Sequence, residues 1–429
     1  MKKLKGLILW VLMVGAVGIV SACGASDDGA GQTNGNVTLE FWFQGTGQAE
    51  LEFHQRAIAS FNEIHPDITI NATGLPATIS DQETMLNAAV LAGTYPDVIA
   101  IVLAQVGSRG VLGDFENLDR FIAGWDGRDD LFASAYEMGQ FAGNQISLGL
   151  FPNPQLYVFR VDRFLEVGLD PNNPPSTWSE LRHAAELLTE RDNNNWVTFA
   201  GFDVPNLDSS LVFTEPFMRS AGSLIIDEIN QVPSFLDPGA IAAMNFIGEL
   251  AEMNISIPHD QQNPTQRPFM NGMAAISNLS VGMINNFRTN NPEIEIGFLP
   301  VISQDGSRPG VAFSGYQLIT MSSASNHKDE TWLFIEHMLS QETVWDRTET
   351  FHVPIVRYSL QDRFLNWGDP VLNAAVLDYV ANGHGKNTVP WISVFNMYMS
   401  LAFEEVINGA KTAEQALQDA YEALIRSIG

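Results

Sequence analysis

The sequence predicts an α/β fold with a doubly wound sheet, and segments near the start of the chain carry that prediction. Residues 37–43 (VTLEFWF) are rich in β-branched and aromatic residues, which predicts a strand. Apolar residues then recur at helical spacing over 51–64, a second strand begins at 68–70, and a second helix covers 81–92. The wholly apolar run 98–102 (VIAIV) is typical of a parallel strand buried on both faces. Alternating strands and helices predict helices packed on both faces of one sheet.

Later segments repeat this mixture with longer helices. Thr177 stands three residues before Glu180, which predicts a capping box at a helix start. Residues 413–428 predict a last amphipathic helix. Trp178 and Trp332 lie within helical patterns, so both are predicted to be core residues rather than ligand contacts.

Composition limits the possible functions. The chain has 429 residues, 45 % of them hydrophobic, so it can fill large cores. Its 50 acidic and 22 basic residues give a net charge of -28, which repels phosphate and disfavours nucleic acid as a partner. A single cysteine excludes an internal disulfide and a cysteine-ligated metal cluster.

The N-terminal residues predict export and a lipid anchor. Residues 1–22 combine three lysines with an apolar run that is too short to cross a membrane comfortably. The sequence that ends at Cys23 resembles a bacterial lipobox, which implies lipidation of Cys23; cleavage by the ordinary signal peptidase is the alternative. Residues 23–36 are small and polar and predict a flexible tether. The predicted location is therefore extracytoplasmic, in the periplasm or at the cell surface, with the lipid as the only membrane contact.

Familiar catalytic signatures are absent from the sequence. It contains no phosphate-binding loop, no H-E-x-x-H, no G-x-S-x-G and no C-x-x-C. The eight histidines are scattered without ligand spacing. We therefore expect no enzymatic activity, no cofactor and no metal site.

Aromatic side chains in segments without clear periodicity indicate a different kind of chemistry. Flat rings stack on sugar C–H groups, while Asn and Gln side chains bond hydroxyls. Several such rings lie beside Gly or Pro turns, although each could also belong to the core: Trp42, Phe43, Phe151, Tyr157, Phe217, Phe313, Tyr316 and Trp391.

Four ordered motifs carry a family resemblance over about residues 37–428. These are 58–68 (IASFNEIHPDI), 91–99 (LAGTYPDVI), 162–181 with its F-x-x-x-G-L…P-x-T-W-x-E-L pattern, and 269–276 (FMNGMAAI). Together they resemble the extracellular solute-binding proteins of ABC importers, specifically the sugar-binding group that includes maltose-binding protein.

The resemblance implies a type II periplasmic-binding-protein-like fold of two α/β lobes that close on a ligand in the cleft between them. It divides the chain into lobe one (37–151 plus 316–352) and lobe two (152–315 plus 353–429). The implied hinge crossings are 151–155, 313–316 and 352–354.

The resemblance also implies ligand contacts, with departures. The predicted contacts are Trp42, Gln44, Gln105, Asn153, Phe217, Asn278, Tyr316 and Trp391. The Trp and Asp of the maltose-type pattern are missing after Pro96-Asp97, and residues 277–283 contain no aromatic. A maltose-like specificity is therefore not implied.

Three functions remain open at this stage. The leading hypothesis is a monomeric, lipid-anchored receptor that binds a sugar or oligosaccharide and delivers it to an ABC permease. A polyamine or other cationic solute is the second possibility, since the net charge is negative. A secreted polysaccharide hydrolase is the third; it would need two carboxylates roughly 5–10 Å apart across a groove.

Overall fold

A mixed ten-stranded sheet forms the centre of the protein. The computed structural model describes residues 36–205, 211–258, 267–385 and 388–429. The predicted signal segment, Cys23 and all of the tether except Asn36 lie outside these residues. Among the described residues, none of the helices is both long and apolar enough to span a bilayer.

The strands alternate with helices along the chain, as the sequence predicts. The strands of the described residues are β1 Val37–Gln44, β2 Ile68–Leu75, β3 Val98–Val102, β4 Gln140–Phe141, β5 Asn144–Gln145, β6 Leu148–Arg160, β7 Glu190–Arg191, β8 Val197–Phe202, β9 Ile225–Asp227, β10 Val232–Ser234, β11 Ala274–Ser280, β12 Ile296–Phe298, β13 Ala312–Met321 and β14 Gly383–His384.

The helices of the described residues are α1 Gln48–Ile64, α2 Ile79–Ala92, α3 Ala104–Gly110, α4 Asp119–Ile122, α5 Ala133–Glu137, α6 Val161–Glu166, α7 Trp178–Leu188, α8 Thr214–Ser220, α9 Pro238–Glu252, α10 Val281–Asn290, α11 Lys328–Met338, α12 Gln341–Phe351, α13 Gln361–Leu365, α14 Pro370–Ala381, α15 Ile392–Ile407 and α16 Ala413–Ile428. A single 3₁₀ turn, Tyr358–Leu360, precedes α13.

Two long strands connect two sections of the sheet. The strand order is β2-β1-β3-β13-β6-β11-β8-β7, with β12 paired to β6 and β14 paired to β13. In β6, residues 148–154 pair with β13, whereas residues 155–159 pair with β11. In β13, residues 317–321 pair with β3, whereas residues 312–313 pair with β14. The middles of β6 and β13 therefore join the section that holds β1–β3 to the section that holds β8 and β11.

The sheet contains both parallel and antiparallel pairs of strands. β3 spans 98–102, as predicted, and four of its five residues are buried. It runs parallel to β1 but antiparallel to β13, because β13 returns from the second section in the opposite direction. A run of apolar residues reports burial on both faces and carries no information on the direction of the neighbouring strand.

The predicted capping box and the two predicted core tryptophans are confirmed by the structure. Thr177 accepts a hydrogen bond from the Glu180 amide, and the Glu180 carboxylate accepts one from the Thr177 amide, which completes the predicted capping box. Trp178 stacks on Phe246 with ring centroids 4.9 Å apart, and Trp332 stacks on Phe121 at 5.4 Å. Both tryptophans are buried, so their assignment to the core is confirmed.

Candidate ligand-binding site

The two sections of the sheet approach each other beside the middle of β13. The Leu103 amide, just after β3, donates to the Tyr316 carbonyl at 3.1 Å. Strand β14 lies along the same strand through its pairing with residues 312–313. The end of β3 and strand β14 are thereby brought to neighbouring positions along β13.

Two glycines allow backbone to touch backbone at this place. A methyl group on Gly107 of α3 would lie 2.5 Å from the Val389 carbonyl oxygen. A methyl group on Gly385 would lie 2.2 Å from the Leu103 side chain and 3.1 Å from the Ser314 carbonyl oxygen. Any larger residue at either position would push the two sides apart.

A buried group of charges lies next to this contact. The Arg219 guanidinium donates to Glu215 at 2.8 Å, and the His384 ring nitrogen lies 3.6 Å from the same carboxylate oxygen. Burial raises the pKa of Glu215, but the charge of Arg219 and the bond to His384 outweigh it and hold that pKa below its ordinary value. Burial, together with the nearby Glu215, raises the pKa of Glu228. Sequence analysis assigned no role to this group.

Four predicted ligand contacts keep part of their side chain exposed. Gln44 ends β1, and its amide donates to Gln82 at 3.3 Å. Trp42 is half-buried in the same strand, and Asn153 is exposed in the middle of β6. Trp391 is half-buried at the start of α15, two residues after the Val389 carbonyl that meets α3. Of the four, Asn153 lies on a strand that joins the two sections, whereas Gln44 ends β1 and Trp391 precedes α15.

The other four predicted contacts are buried against protein partners. Gln105 donates to Glu83 at 2.8 Å and accepts from the Val102 amide. The Tyr316 hydroxyl bonds Ser134 at 2.7 Å, and burial raises its pKa. Asn278 is buried, and its backbone carbonyl oxygen accepts a hydrogen bond from the Arg267 guanidinium at 2.6 Å.

Phe217 is 2 % exposed and belongs to an aromatic cluster with Tyr157, Trp178, Phe213 and Phe246. It would have to leave that cluster to meet a ligand. A stretch such as Glu215-Pro216-Phe217 specifies the start of a helix and carries no information on which face of that helix meets the core.

A cavity of about 240 Å³ lies between the sheet and helices α1 and α12. Gln44 and Gln317 line it together with His54 and Arg347. Sequence analysis identified Gln44 alone among these. The missed signal is the position of Arg347, which shares a helical stripe with the buried residues Val344 and Thr348. A cation on the apolar stripe of a helix marks a buried charge.

A second cavity of about 280 Å³ lies between α5, α14 and β14. Ser134 and Glu137 line it from α5, and His384 and Gly383 line it from β14. Among the described residues, no group of three or more His, Cys, Asp or Glu side chains is placed to hold a metal ion.

Residues 56–374 match the model of the family described as bacterial extracellular solute-binding protein. The chain belongs to this family, and the predicted family resemblance is confirmed.

Individual relatives cover almost the whole chain. The sn-glycerol-3-phosphate-binding periplasmic protein of Escherichia coli strain K12 is 22 % identical over 429 residues, which cover 91 % of this chain and 92 % of that protein. The solved cyclic alpha-maltosyl-1,6-maltose binding protein from Arthrobacter globiformis has a TM-score of 0.79 at 20 % identity, covering 91 % and 98 %. An ABC transporter solute binding protein from Thermotoga lettingae, bound with alpha-D-tagatose, has a TM-score of 0.71 at 20 % identity, covering 92 % and 100 %. The predicted type II periplasmic-binding-protein-like fold class is confirmed by these matches.

Proposed function

We propose that this protein is an extracytoplasmic receptor that binds a sugar or oligosaccharide in a cleft and delivers it to an ABC permease. Membership of the extracellular solute-binding family supports the receptor role. One structural relative is named a cyclic alpha-maltosyl-1,6-maltose binding protein, and another is bound with alpha-D-tagatose. The observation that carries the proposal is the close meeting of α3, which follows β3, with the segment before α15 that ends at Trp391.

The proposed cleft lies between lobe one (37–151 plus 316–352) and lobe two (152–315 plus 353–429). The crossings at 151–155 and 313–316 fall within β6 and β13, where these strands change partners, which supports a hinge there. A ligand that contacts both lobes would favour the closed arrangement by its differential affinity. Binding, closure and docking on the permease complete the mechanism, and no bond is broken.

Partly exposed polar and aromatic side chains are the proposed sugar contacts. Gln44 and Asn153 offer amides to hydroxyl groups, and Trp391 offers a ring face. Trp42 is retained as a contact that needs only a small movement, since its side chain is half-buried. The proposed anchor is a lipid on Cys23, with residues 23–36 as a tether.

A cationic solute is the second candidate, because Glu215 and Glu228 lie close together beside His384. Arg219 offsets their charge through its 2.8 Å bond to Glu215, which leaves the sugar as the better supported ligand. A hydrolase is less well supported, since Glu215 is engaged by Arg219 and His384 rather than facing an open groove.

Binding measurements on residues 36–429 test the proposal. A thermal-shift screen with sugars, polyamines and amino acids should raise the melting temperature with a sugar class, because a ligand that binds only the folded state stabilises it. A shift with polyamines alone would favour the cationic solute. Release of reducing ends from a polysaccharide would establish the hydrolase instead.

Replacement of Trp391 tests the site itself. Trp391→Ala should weaken the binding of that sugar by about 1–3 kcal/mol, the value of a buried aromatic face, in isothermal titration. Trp196→Ala is the matched control, since Trp196 is 72 % exposed and remains far in sequence from the crossings. If Trp391→Ala and Gln44→Ala both bind like the wild type, the cleft is assigned to the wrong residues.

A further inference from the structure

The cavity beneath α1 and α12 contains a buried cation that makes no ion pair with any residue the structure describes. Arg347 lines this cavity and is 3 % exposed. Among the described residues, no carboxylate oxygen lies within 4.0 Å of its guanidinium, and its Nη2 has no hydrogen-bond partner. Asp346, its neighbour in sequence, pairs with Arg56 instead.

The interactions that Arg347 does make are weak. Its Nη1 reaches the Leu150 carbonyl at 3.5 Å, the long limit of a hydrogen bond. Its guanidinium carbon lies 4.9 Å from the centre of the Phe53 ring and 6.0 Å from that of Phe151. Cation–π contacts of this kind offset only part of the desolvation of a buried charge.

Other polar groups of the cavity are also incompletely satisfied. His54 is 8 % exposed, lines the cavity, and its Nδ1 has no hydrogen-bond partner among the described residues. Gln44 and Gln317 add two side-chain amides, each able to donate. The cavity also faces the first two turns of α1, a 17-residue helix whose N-cap Gly47 supplies no side-chain acceptor. The N-terminus of a helix attracts anions because its free amides point outward.

One acidic residue faces the same space. Glu50 lies in the first turn of α1 and lines the cavity, but its side chain is half-buried and packs over Gly45 and Gly47. A methyl group on Gly47 would lie 2.4 Å from a Glu50 oxygen, so this turn leaves room for the carboxylate. Glu50 therefore lies at the edge of the cavity and makes no ion pair with Arg347.

We propose that the Arg347 cavity is an anion subsite that binds the carboxylate or phosphate group of the transported solute. A planar guanidinium is suited to bidentate bonding of either group. In a protein with 50 acidic and 22 basic residues, an external anion has few other places to bind.

The position of the cavity connects it to the proposed cleft. Phe151 of β6 and Val353 line it from two of the hinge crossings, and Gln317 follows the third. Gln44, at the end of β1, belongs both to the cavity and to the proposed sugar contacts. This inference rests on the proposed function, and it narrows the ligand to an acidic sugar, a sugar acid or a polyol phosphate.

The volume agrees with a subsite rather than a whole site. Ligand pockets commonly enclose roughly 300–1,000 Å³. At about 240 Å³, the cavity accommodates the charged end of a solute, and the hydroxyl-bearing remainder extends toward the crossings.

Isothermal titration of residues 36–429, which form one compact unit, tests the proposal with matched probes. The pairs are glucose against glucuronate, glucose against glucose 6-phosphate, and glycerol against glycerol 3-phosphate, with inorganic phosphate and acetate alone. The charged member of at least one pair should bind tenfold or more tightly than its neutral partner. The carboxylate and phosphate pairs distinguish the two sources of negative charge.

Two arginine variants locate the effect. Arg347→Met should abolish the preference for the charged probe, whereas Arg363→Met should keep it. Arg363 is the matched control because it carries the same charge on the surface, 56 % exposed, near Glu349. Glu50→Gln should strengthen binding of the charged probe several-fold.

The outcomes separate this inference from the proposed function. Equal binding of neutral and charged probes by the wild type overturns the anion subsite while the sugar receptor stands, and so does a preference that survives Arg347→Met. Weaker binding in Glu50→Gln also overturns it. Arg347-dependent binding of phosphate without binding of any sugar supports the subsite and refutes the sugar receptor, and no binding at all refutes both. If Arg347→Met does not fold, the wild-type pairs and Arg347→Lys still decide the question.

Discussion

Arg109 and Arg347 are equally buried, yet they lie in opposite electrostatic surroundings. Arg109 of α3 is 1 % exposed and lies 2.5 Å from a Glu83 oxygen and 3.0 Å from an Asp114 oxygen. Arg347 of α12 has no carboxylate within 4.0 Å among the described residues. Arg109 therefore has carboxylate counter-ions within the protein, whereas Arg347 has none among the described residues.

The pKa values follow this difference. Burial lowers the pKa of Arg109, but its bonds to Asp114 and Glu83 outweigh burial and raise it above its ordinary value. Burial lowers the pKa of Arg347 to about 9, and the only opposing influence comes from Asp346. Arg347 remains cationic at neutral pH, and this difference teaches that a buried charge can serve the fold when paired and a ligand when unpaired.

The largest effect is expected from breaking the paired side of this comparison. Arg109→Met leaves Glu83 and Asp114 without their cation and should lower the free energy of unfolding by about 3–5 kcal/mol. Urea denaturation at neutral pH measures it. Arg363→Met is the control, since exposed ion pairs contribute about 0–1 kcal/mol. A loss no larger than that of the control would mean that the buried pair carries no stability.

The next largest change in the free energy of unfolding is expected when low pH protonates His54, which adds a second positive charge beside Arg347. Burial, and then the charge of Arg347, lower the pKa of His54 to about 3, against an ordinary value of 6.5. As pH falls, His54 therefore takes up a proton in the unfolded chain before it does so in the folded protein. The contribution of neutral His54 to the free energy of unfolding is complete above pH 6.5 and is lost toward pH 3. Between pH 7 and pH 4 the free energy of unfolding should fall by an amount on the order of 3 kcal/mol from this group, as measured by urea denaturation at each pH.

His54→Gln isolates that contribution from the other groups near the cavity, which are Arg347 and Glu50. The variant should lose less stability than the wild type over the same pH range. Parallel pH profiles for the two proteins would refute the assignment.

Replacement of the unpaired Arg347 should have a smaller effect on the free energy of unfolding, and of opposite sign to that of Arg109→Met. Arg347→Met replaces an uncompensated buried charge with an apolar side chain of similar length and should raise the free energy of unfolding by about 1–2 kcal/mol. The measurement is the same urea series used for Arg109→Met. If both variants lose several kcal/mol, the two arginines do not differ in role.

The smallest change in the free energy of unfolding should come from giving Arg347 a carboxylate partner like those of Arg109. Gln317→Glu places a carboxylate in the Arg347 cavity and should stabilise the protein by about 1 kcal/mol, as an internal counter-ion would. The same variant should no longer prefer charged probes over neutral ones in titration. Retained preference would mean that the anion binds elsewhere.

Local order was predictable because its causes are local. The capping box at Thr177, the apolar run 98–102 and the amphipathic pattern 413–428 each depend on residues within one or two turns of each other. Elements of this kind account for the correct α/β class, and the ordered motifs account for the family.

The binding site was predictable only in part. Gln44 was identified because the family resemblance implies a ligand contact at the end of the first strand, and the structure leaves its side chain partly exposed there. Phe217 was predicted from the resemblance of residues 215–217 to a family motif, but the structure buries its ring against Trp178 and Phe246. A ring has the same sequence signature whether it faces a ligand or the core.

The sequence by itself determined the α/β class, the acidic surface, the order of the elements and membership of the solute-binding family. Only the tertiary structure decided that β13 runs antiparallel to β3 and that Arg347 and His54 share a cavity in which Arg347 makes no ion pair with any described residue. The physical reason is that α1, β6 and α12 are separated by about a hundred residues or more along the chain. Whether a charge on one of them meets a partner depends on packing between segments that no local pattern connects.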